Sequence, residues 1–165
     1  MINNASNNDS VSVYIVKREI RIVDALSKNQ KKEEGMHTRT IRQSATFKAE
    51  PHEVYEAIMD SKKHSELTSS KASISREVGG KFSVYDGDIE GVNLELQPDQ
   101  KIVQSWRYSN WPKNYYSKAT FSLKEVPRGT RLTFTQTGVP EEFHNNIRQG
   151  WRDYYWIPMK AMLEK

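Results

Sequence analysis

Three carboxylates stand close together at Asp86, Asp88 and Glu90. Paired carboxylates can share proton-transfer work or hold a hard cation. Asp86-Gly87 is first of all a hairpin-turn signal, and Asp88 extends the turn. A calcium loop would need more oxygen ligands at regular spacing. Glu90 is the exception, because it shares parity with Val92, Leu94 and Leu96 and is expected to face inward. Gln104 shares parity with Ile102, Trp106 and Tyr108, and Gln136 with Leu132 and Phe134. Polar groups on an apolar inner face could orient a ligand in a cavity, or lie at sheet ends bonded to backbone. An enzyme would have to be assembled from Glu90 with Gln104 or Gln136. That is too little for a mechanism, so no catalytic residue is assigned and the chain is read as non-enzymatic.

The remaining chemistry is sparse. His37, His52, His64 and His144 have no metal-ligand spacing with one another or with a carboxylate, and all four are expected to be solvated. There is no Gly-rich phosphate loop, no GxSxG and no HExxH. With zero Cys there is no disulfide, thiolate nucleophile or thiolate metal site, which fits a reducing, cytoplasmic setting. No metal or cofactor is assigned.

Aromatic residues are the richer signal. Trp106, Tyr108, Phe121, Phe134, Trp151, Tyr155 and Met159 fall on faces expected to point inward. Together with Glu90 and Gln104 they form the candidate ligand-cavity set, against the plainer reading that such a stripe is simply core. Trp156 lies about 140° from Trp151 around a straight helix, so it is expected to face outward. Trp111-Pro112 falls in a loop, where a Trp either covers a cavity mouth or anchors a partner. With Arg148 and Arg152, one turn apart, these two residues form the candidate partner surface.

Periodicity supplies the elements that must hold these groups. Ile41, Gln43, Ala45 and Phe47 mark a first strand. Pro51 and Glu53 open a helix with Val54, Tyr55, Ile58 and Met59 as its apolar stripe, and a second short helix covers Lys62 to Leu67. Alternating segments then run from Ile74 to Phe134, punctuated by Gly79-Gly80, Asp86-Gly87, Pro98-Asp99 and Pro127-Arg128-Gly129. After Gly138, Phe143, Ile147, Trp151, Tyr154, Tyr155, Met159 and Met162 recur every three or four residues and mark a long helix. Pro158 lies inside it, cannot donate to the carbonyl of Tyr154, and is expected to kink it. The order is strand, two helices, a meander of about six strands, then a long helix. An antiparallel sheet with one apolar face must cover it, and only the last helix is long and apolar enough. The fold class is therefore α+β: a curved antiparallel sheet of about six to seven strands wrapped on the C-terminal helix.

Composition bounds the rest. The 165 residues suffice for one ordinary domain, and no apolar run reaches the length of a membrane span. The net charge is +4, but the signs alternate along the chain without a basic stripe, so nucleic acid is not an expected partner. Residues 1–37 read as an atypical or flexible extension: Met1 to Ser10 is rich in Asn and Ser, Val11 to Val16 alternates like a short strand, and Lys28 to Glu34 is a charged run. Met36, just after it, could be the natural start.

Five segments carry a family resemblance. They are Gly79-Gly80-Lys81-Phe82, Asp86 to Gly91, Lys101 to Arg107, Thr133 to Pro140 (TFTQTGVP) and Gln149 to Pro158 (QGWRDYYWIP). Together they resemble the C-terminal domain of the activators of the heat shock protein 90 ATPase, over roughly residues 38–165. That domain belongs to the START-like, birch-pollen-allergen-like helix-grip superfamily. The resemblance implies the fold derived above and a co-chaperone-like binding module, with a heat shock protein 90-type chaperone as partner. Helix-grip folds also imply an alternative, a carrier or sensor of a small hydrophobic ligand held between sheet and helix. A filled core would rule that alternative out. Some superfamily relatives are cyclases or hydrolases, the third reading. The eukaryotic co-chaperones carry a larger N-terminal domain with an Asn-, Trp- and His-containing motif, and nothing in residues 1–37 resembles it.

Overall fold

The computed structural model describes residues 35–165, and the readings made for residues 1–34 lie outside them. Strand β1 (Thr38–Phe47) leads into helices α1 (Pro51–Met59) and α2 (Ser61–Thr68). Pro51 occupies the first turn of α1, where its missing N–H costs nothing, and the Glu53 carboxylate accepts the backbone N–H of Glu50 at 3.0 Å. Asp60 starts α2 by accepting the Lys63 N–H at 2.8 Å, and that bond holds its carboxyl below the usual range. Ser69 in the left-handed region stops α2.

Strands β2 (Ser73–Ile74), β3 (Lys81–Val84), β4 (Ile89–Gln97), β5 (Lys101–Tyr108), β6 (Ser117–Val126) and β7 (Gly129–Pro140) follow. All neighbours pair antiparallel in the order β1-β7-β6-β5-β4-β3-β2, one seven-stranded sheet with β1 and β2 at its edges. The concave face is filled by Ile41, Phe47, Phe121, Leu132 and Phe134, each almost fully buried. These are the inward parities of β1, β6 and β7, so the alternation on those strands reads directly as the core.

Strand β4 reverses the expected parity. Ile89, Gly91 and Asn93 are the buried set, while Glu90 is exposed and Leu94 is 48% exposed. Gly91 is required there, since a Cβ would fall 1.8 Å from the Ser105 carbonyl oxygen. A register shift between Asn93 and Glu95 then returns Leu96 to the core side. Apolar alternation misleads on this strand because two of its three inward residues are Gly and Asn.

The C-terminal helix has three parts. Helix α3 (His144–Trp151) and helix α4 (Ile157–Leu163) are joined by a π-helical segment, Arg152–Trp156. The N–H of Ile157 bonds the carbonyl of Arg152, a five-residue step. The expected disturbance at Pro158 thus takes the form of a π segment ending just before it. Pro158 has no N–H for the Tyr154 carbonyl, and the Tyr85 hydroxyl donates to that oxygen at 2.9 Å.

Candidate functional site

The space between sheet and C-terminal helix is filled. Trp151 sits at its centre, with ring centroids 4.4 Å from Phe134, 4.6 Å from Tyr155 and 5.7 Å from Phe121. What remains is a void of about 10 Å³ bounded by His64, Gln104, Trp106, Phe121, Trp151 and Tyr155 among others. That is at most the room of one water. Phe134 and Met159 are wholly buried in packed core. No enclosed chamber for an apolar ligand lies around Trp151; the larger opening between helix and strands is at the edge of the fold.

Apart from the Trp111 indole N–H, which has no partner, the buried polar side chains of the interior are bonded to each other and to backbone. The Trp151 indole N–H donates to Gln136 Oε1 at 2.7 Å, and Gln136 Nε2 donates to Ser117 at 2.8 Å. Gln104 Nε2 donates to Asn93 Oδ1 at 3.0 Å, while Asn93 Nδ2 donates to the carbonyls of Ser75 and Glu77. Asn93 thereby pins the turn before β3, a role that apolar patterning cannot reveal. Gln104 and Gln136 are thus framework residues. Glu90 lies on the outer face, 3.7 Å from the Arg107 guanidinium, and is not among the partners of either glutamine.

Two histidines expected in solvent are buried, His64 at 4% exposure and His144 at 8%. His64 Nδ1 donates to the Ile58 carbonyl at 3.0 Å. A carbonyl only accepts, so the other ring nitrogen is left to accept from the Tyr155 hydroxyl at 3.2 Å. Burial pushes the His64 pKa down and the Tyr155 phenol well up, so both stay neutral at ordinary pH.

The partner-surface residues also divide. Arg148 and Arg152 are exposed. Trp156 is 6% exposed, and its indole N–H donates to Gln43 Oε1 at 2.7 Å. The π segment is the reason: its five-residue step brings Trp156 back over Trp151, the rings stacking 5.6 Å apart with planes 18° apart. Trp111 is 3% exposed, packed edge-on against Trp106 at 5.2 Å, so it belongs to the core. Its loop folds back because Arg107 donates to the carbonyls of Trp111 and Pro112. The exposed apolar side chains of the helix are Tyr154, at 61%, and Ile157, at 53%. Tyr154, one of the residues whose spacing marks the helix, is turned outward.

One sizeable opening lies beside the helix. A cleft of about 550 Å³ runs between α3, the π segment and the strand ends of β4 and β5. Trp106, Tyr108, Trp151 and Tyr155 from the candidate cavity set form part of its wall; Tyr85, Asp88, Asp153 and Tyr154 bound it as well. Tyr85 and Asp86 stand at φ 53° and 56°, uncommon for non-glycine residues, and burial raises the Tyr85 phenol pKa. Strained backbone and a π segment thus face each other across this cleft, a combination that clusters at functional sites. A second cleft, about 460 Å³, has its charges paired: His52 bonds Asp99 at 2.9 Å and Arg76 Nη1 donates to Glu56 at 3.1 Å. Among the described residues no group of three or more His, Asp or Glu side chains is placed to hold a metal ion, and no helix is long and apolar enough to cross a membrane.

The family model of Activator of Hsp90 ATPase homolog 1-like proteins matches residues 48–164. The chain belongs to this family. A Dictyostelium discoideum protein named Activator of 90 kDa heat shock protein ATPase homolog is 37% identical over 117 residues, covering 70% of this chain and 30% of that protein. The human Activator of 90 kDa heat shock protein ATPase homolog 1 is 29% identical over 160 residues, covering 95% of this chain and 47% of that one. This chain therefore spans half or less of the length of these curated relatives. A crystal structure of an HSP90 activator from Plasmodium falciparum superposes with a TM-score of 0.71 at 24% identity, covering 76% of this chain and 96% of that one. The helix-grip architecture of the family is thus the fold of this domain.

Proposed function

We propose that this domain is a co-chaperone-like binding module that engages a heat shock protein 90-type chaperone. The observation that carries the reading is the family match over residues 48–164, together with relatives named as activators of that chaperone's ATPase. Two features of the molecule support it. Trp151 and its neighbours fill the centre of the interior, so the opening beside the helix is a surface cleft and not an enclosed chamber. The C-terminal helix presents Tyr154 and Ile157 outward, one turn apart, with Arg148 and Arg152 exposed on the same helix. An exposed aromatic and an aliphatic flanked by arginines suit a protein partner with an acidic rim around an apolar patch.

The test is binding to, and ATPase stimulation of, the heat shock protein 90 homologue of the same cell. Binding is expected at or below tens of micromolar, the range of a modest protein interface. Replacing both arginines by glutamate should weaken it about tenfold, chiefly through the on-rate, without changing the thermal midpoint. No binding at that concentration removes the proposal.

A further inference from the structure

We infer that the cleft beside the π segment is a binding site for a small amphipathic organic cation: an ammonium or guanidinium head on a short apolar or aromatic body. The inference is independent of chaperone binding and concerns a ligand held at the mouth of the fold, outside its filled core.

Its volume, about 550 Å³, lies within the ordinary range for small-molecule sites. Its charge is one-sided. Asp88, at the foot of β4, and Asp153, on the π segment, both bound it, and no Lys, Arg or His does. This is notable in a chain of net charge +4. Neither carboxylate has a cationic partner among the described residues. Asp153 accepts from Gln149 Nε2 at 3.0 Å and Asp88 from the Ser109 hydroxyl at 3.3 Å, so both are oriented by neutral donors that leave their charge unspent. The walls carry the rings of Tyr85, Tyr108 and Tyr154, with Ile147 beside them and only the edges of the nearly buried Trp106 and Trp151. An aromatic face attracts a cation through its quadrupole, most strongly when water is partly excluded. An anion would meet two carboxylates here, and a neutral apolar body would leave them unanswered.

Gly150 gives a second argument. It lines the cleft from within helix α3, where glycine is unfavourable relative to alanine. Its φ lies outside the left-handed region, and a Cβ would meet only the Tyr154 ring, at an ordinary 3.7 Å. Neither backbone conformation nor packing calls for glycine at this position. What the missing side chain leaves is open cleft.

The experiment uses the full chain and three probes sharing one body: 4-phenylbutylamine, 4-phenylbutanol and 4-phenylbutyrate. Binding is followed by amide chemical-shift changes and by the fluorescence of the cleft tryptophans. The amine is expected to bind in the submillimolar range, about tenfold tighter than the alcohol, with the butyrate weaker than both. Shifts should centre on residues 85–89 and 149–155. Asp88→Asn with Asp153→Asn should bring the amine down to the alcohol's affinity, and raised salt should do the same in part. These carboxylates are exposed, so the variant folds as the parent does. Gly150→Leu fills the cleft and should abolish binding of all three; its thermal midpoint is measured alongside. Equal binding of amine and alcohol, tighter binding of the butyrate, or shifts elsewhere than the cleft would overturn the assignment.

Discussion

The inner and outer flanks of one helix have opposite fates. Inward, Trp151, Tyr155, Trp156 and Met159 are packed so closely that only about 10 Å³ stays empty, and the polar atoms among them are bonded. Outward, the same helix turn leaves Asp153 and Tyr154 exposed beside a cleft of about 550 Å³. Residue type does not by itself separate the two flanks, since Tyr155 faces the core and its neighbour Tyr154 faces out. The separation comes from phase. The π segment gathers Trp151, Tyr155 and Trp156 onto the core side, with only an edge of Trp151 and Tyr155 reaching the cleft, and leaves Asp153 and Tyr154 to border it.

The strongest way to break the comparison is to empty the filled side. Trp151→Ala removes the central ring and strands the Gln136 Oε1 that its indole serves. A loss of about 3–5 kcal/mol is expected in urea unfolding, enough to unfold a marginal domain. A small loss would mean that the interior is looser than its geometry indicates.

The second prediction turns on His64. Its pKa is lowered in the fold by burial, so between its folded and unfolded values the unfolded chain binds more protons. Its neutral form is accommodated in full above the unfolded value, near 6.5, and stability falls as pH drops below it, by at most about 1.4 kcal/mol per pH unit. His64→Gln keeps a donor for Ile58 and an acceptor for Tyr155 but does not titrate. It should flatten the pH dependence of the melting temperature between pH 7 and pH 5. An unchanged slope would place the titration elsewhere.

Smaller effects sharpen the outer side. Tyr85→Phe removes the donor to the Tyr154 carbonyl and should cost about 1 kcal/mol. Hydrogen exchange should accelerate in residues 152–159 more than in β6 and β7, which do not depend on that bond. Gly150→Ala has space for its methyl and should stabilise by about 0.5–1 kcal/mol while leaving the cleft passable. Destabilisation would show that the helix uses glycine for packing after all.

Much of the scaffold was legible in the residues. The alternation of β1, β5, β6 and β7, the proline-opened α1 and the three-and-four spacing after Gly138 lead to the observed order of elements and to a sheet closed by the last helix. The site was less so, for local reasons. Glu90 was placed on the wrong face because β4 buries Gly91 and Asn93, whose value lies in a close approach and a hydrogen-bond pair that no hydropathy pattern registers. Trp156 was sent outward by an ideal helical angle that a π segment does not obey. Trp111 sat in a loop by its proline neighbour, yet the loop folds in on Arg107. His64 gave no spacing signal because its partners, Ile58 and Tyr155, lie on different elements. Four of the nine candidate cavity residues, Trp106, Tyr108, Trp151 and Tyr155, do meet at the cleft, since each sits on the parity or helical face expected of it.

The bond from Tyr85 to the Tyr154 carbonyl spans 69 positions of sequence. A helix ordinarily draws its hydrogen bonds from its own backbone, and this one receives a further donor from the turn between β3 and β4, where Pro158 supplies none. The turn in turn holds two non-glycine residues at positive φ, a conformation it keeps only while something secures it. Each therefore braces the other: the turn supports the helix beside Pro158, and the helix supports the turn. The donor precedes its acceptor in the sequence, so this contact waits until the helix segment has followed the turn.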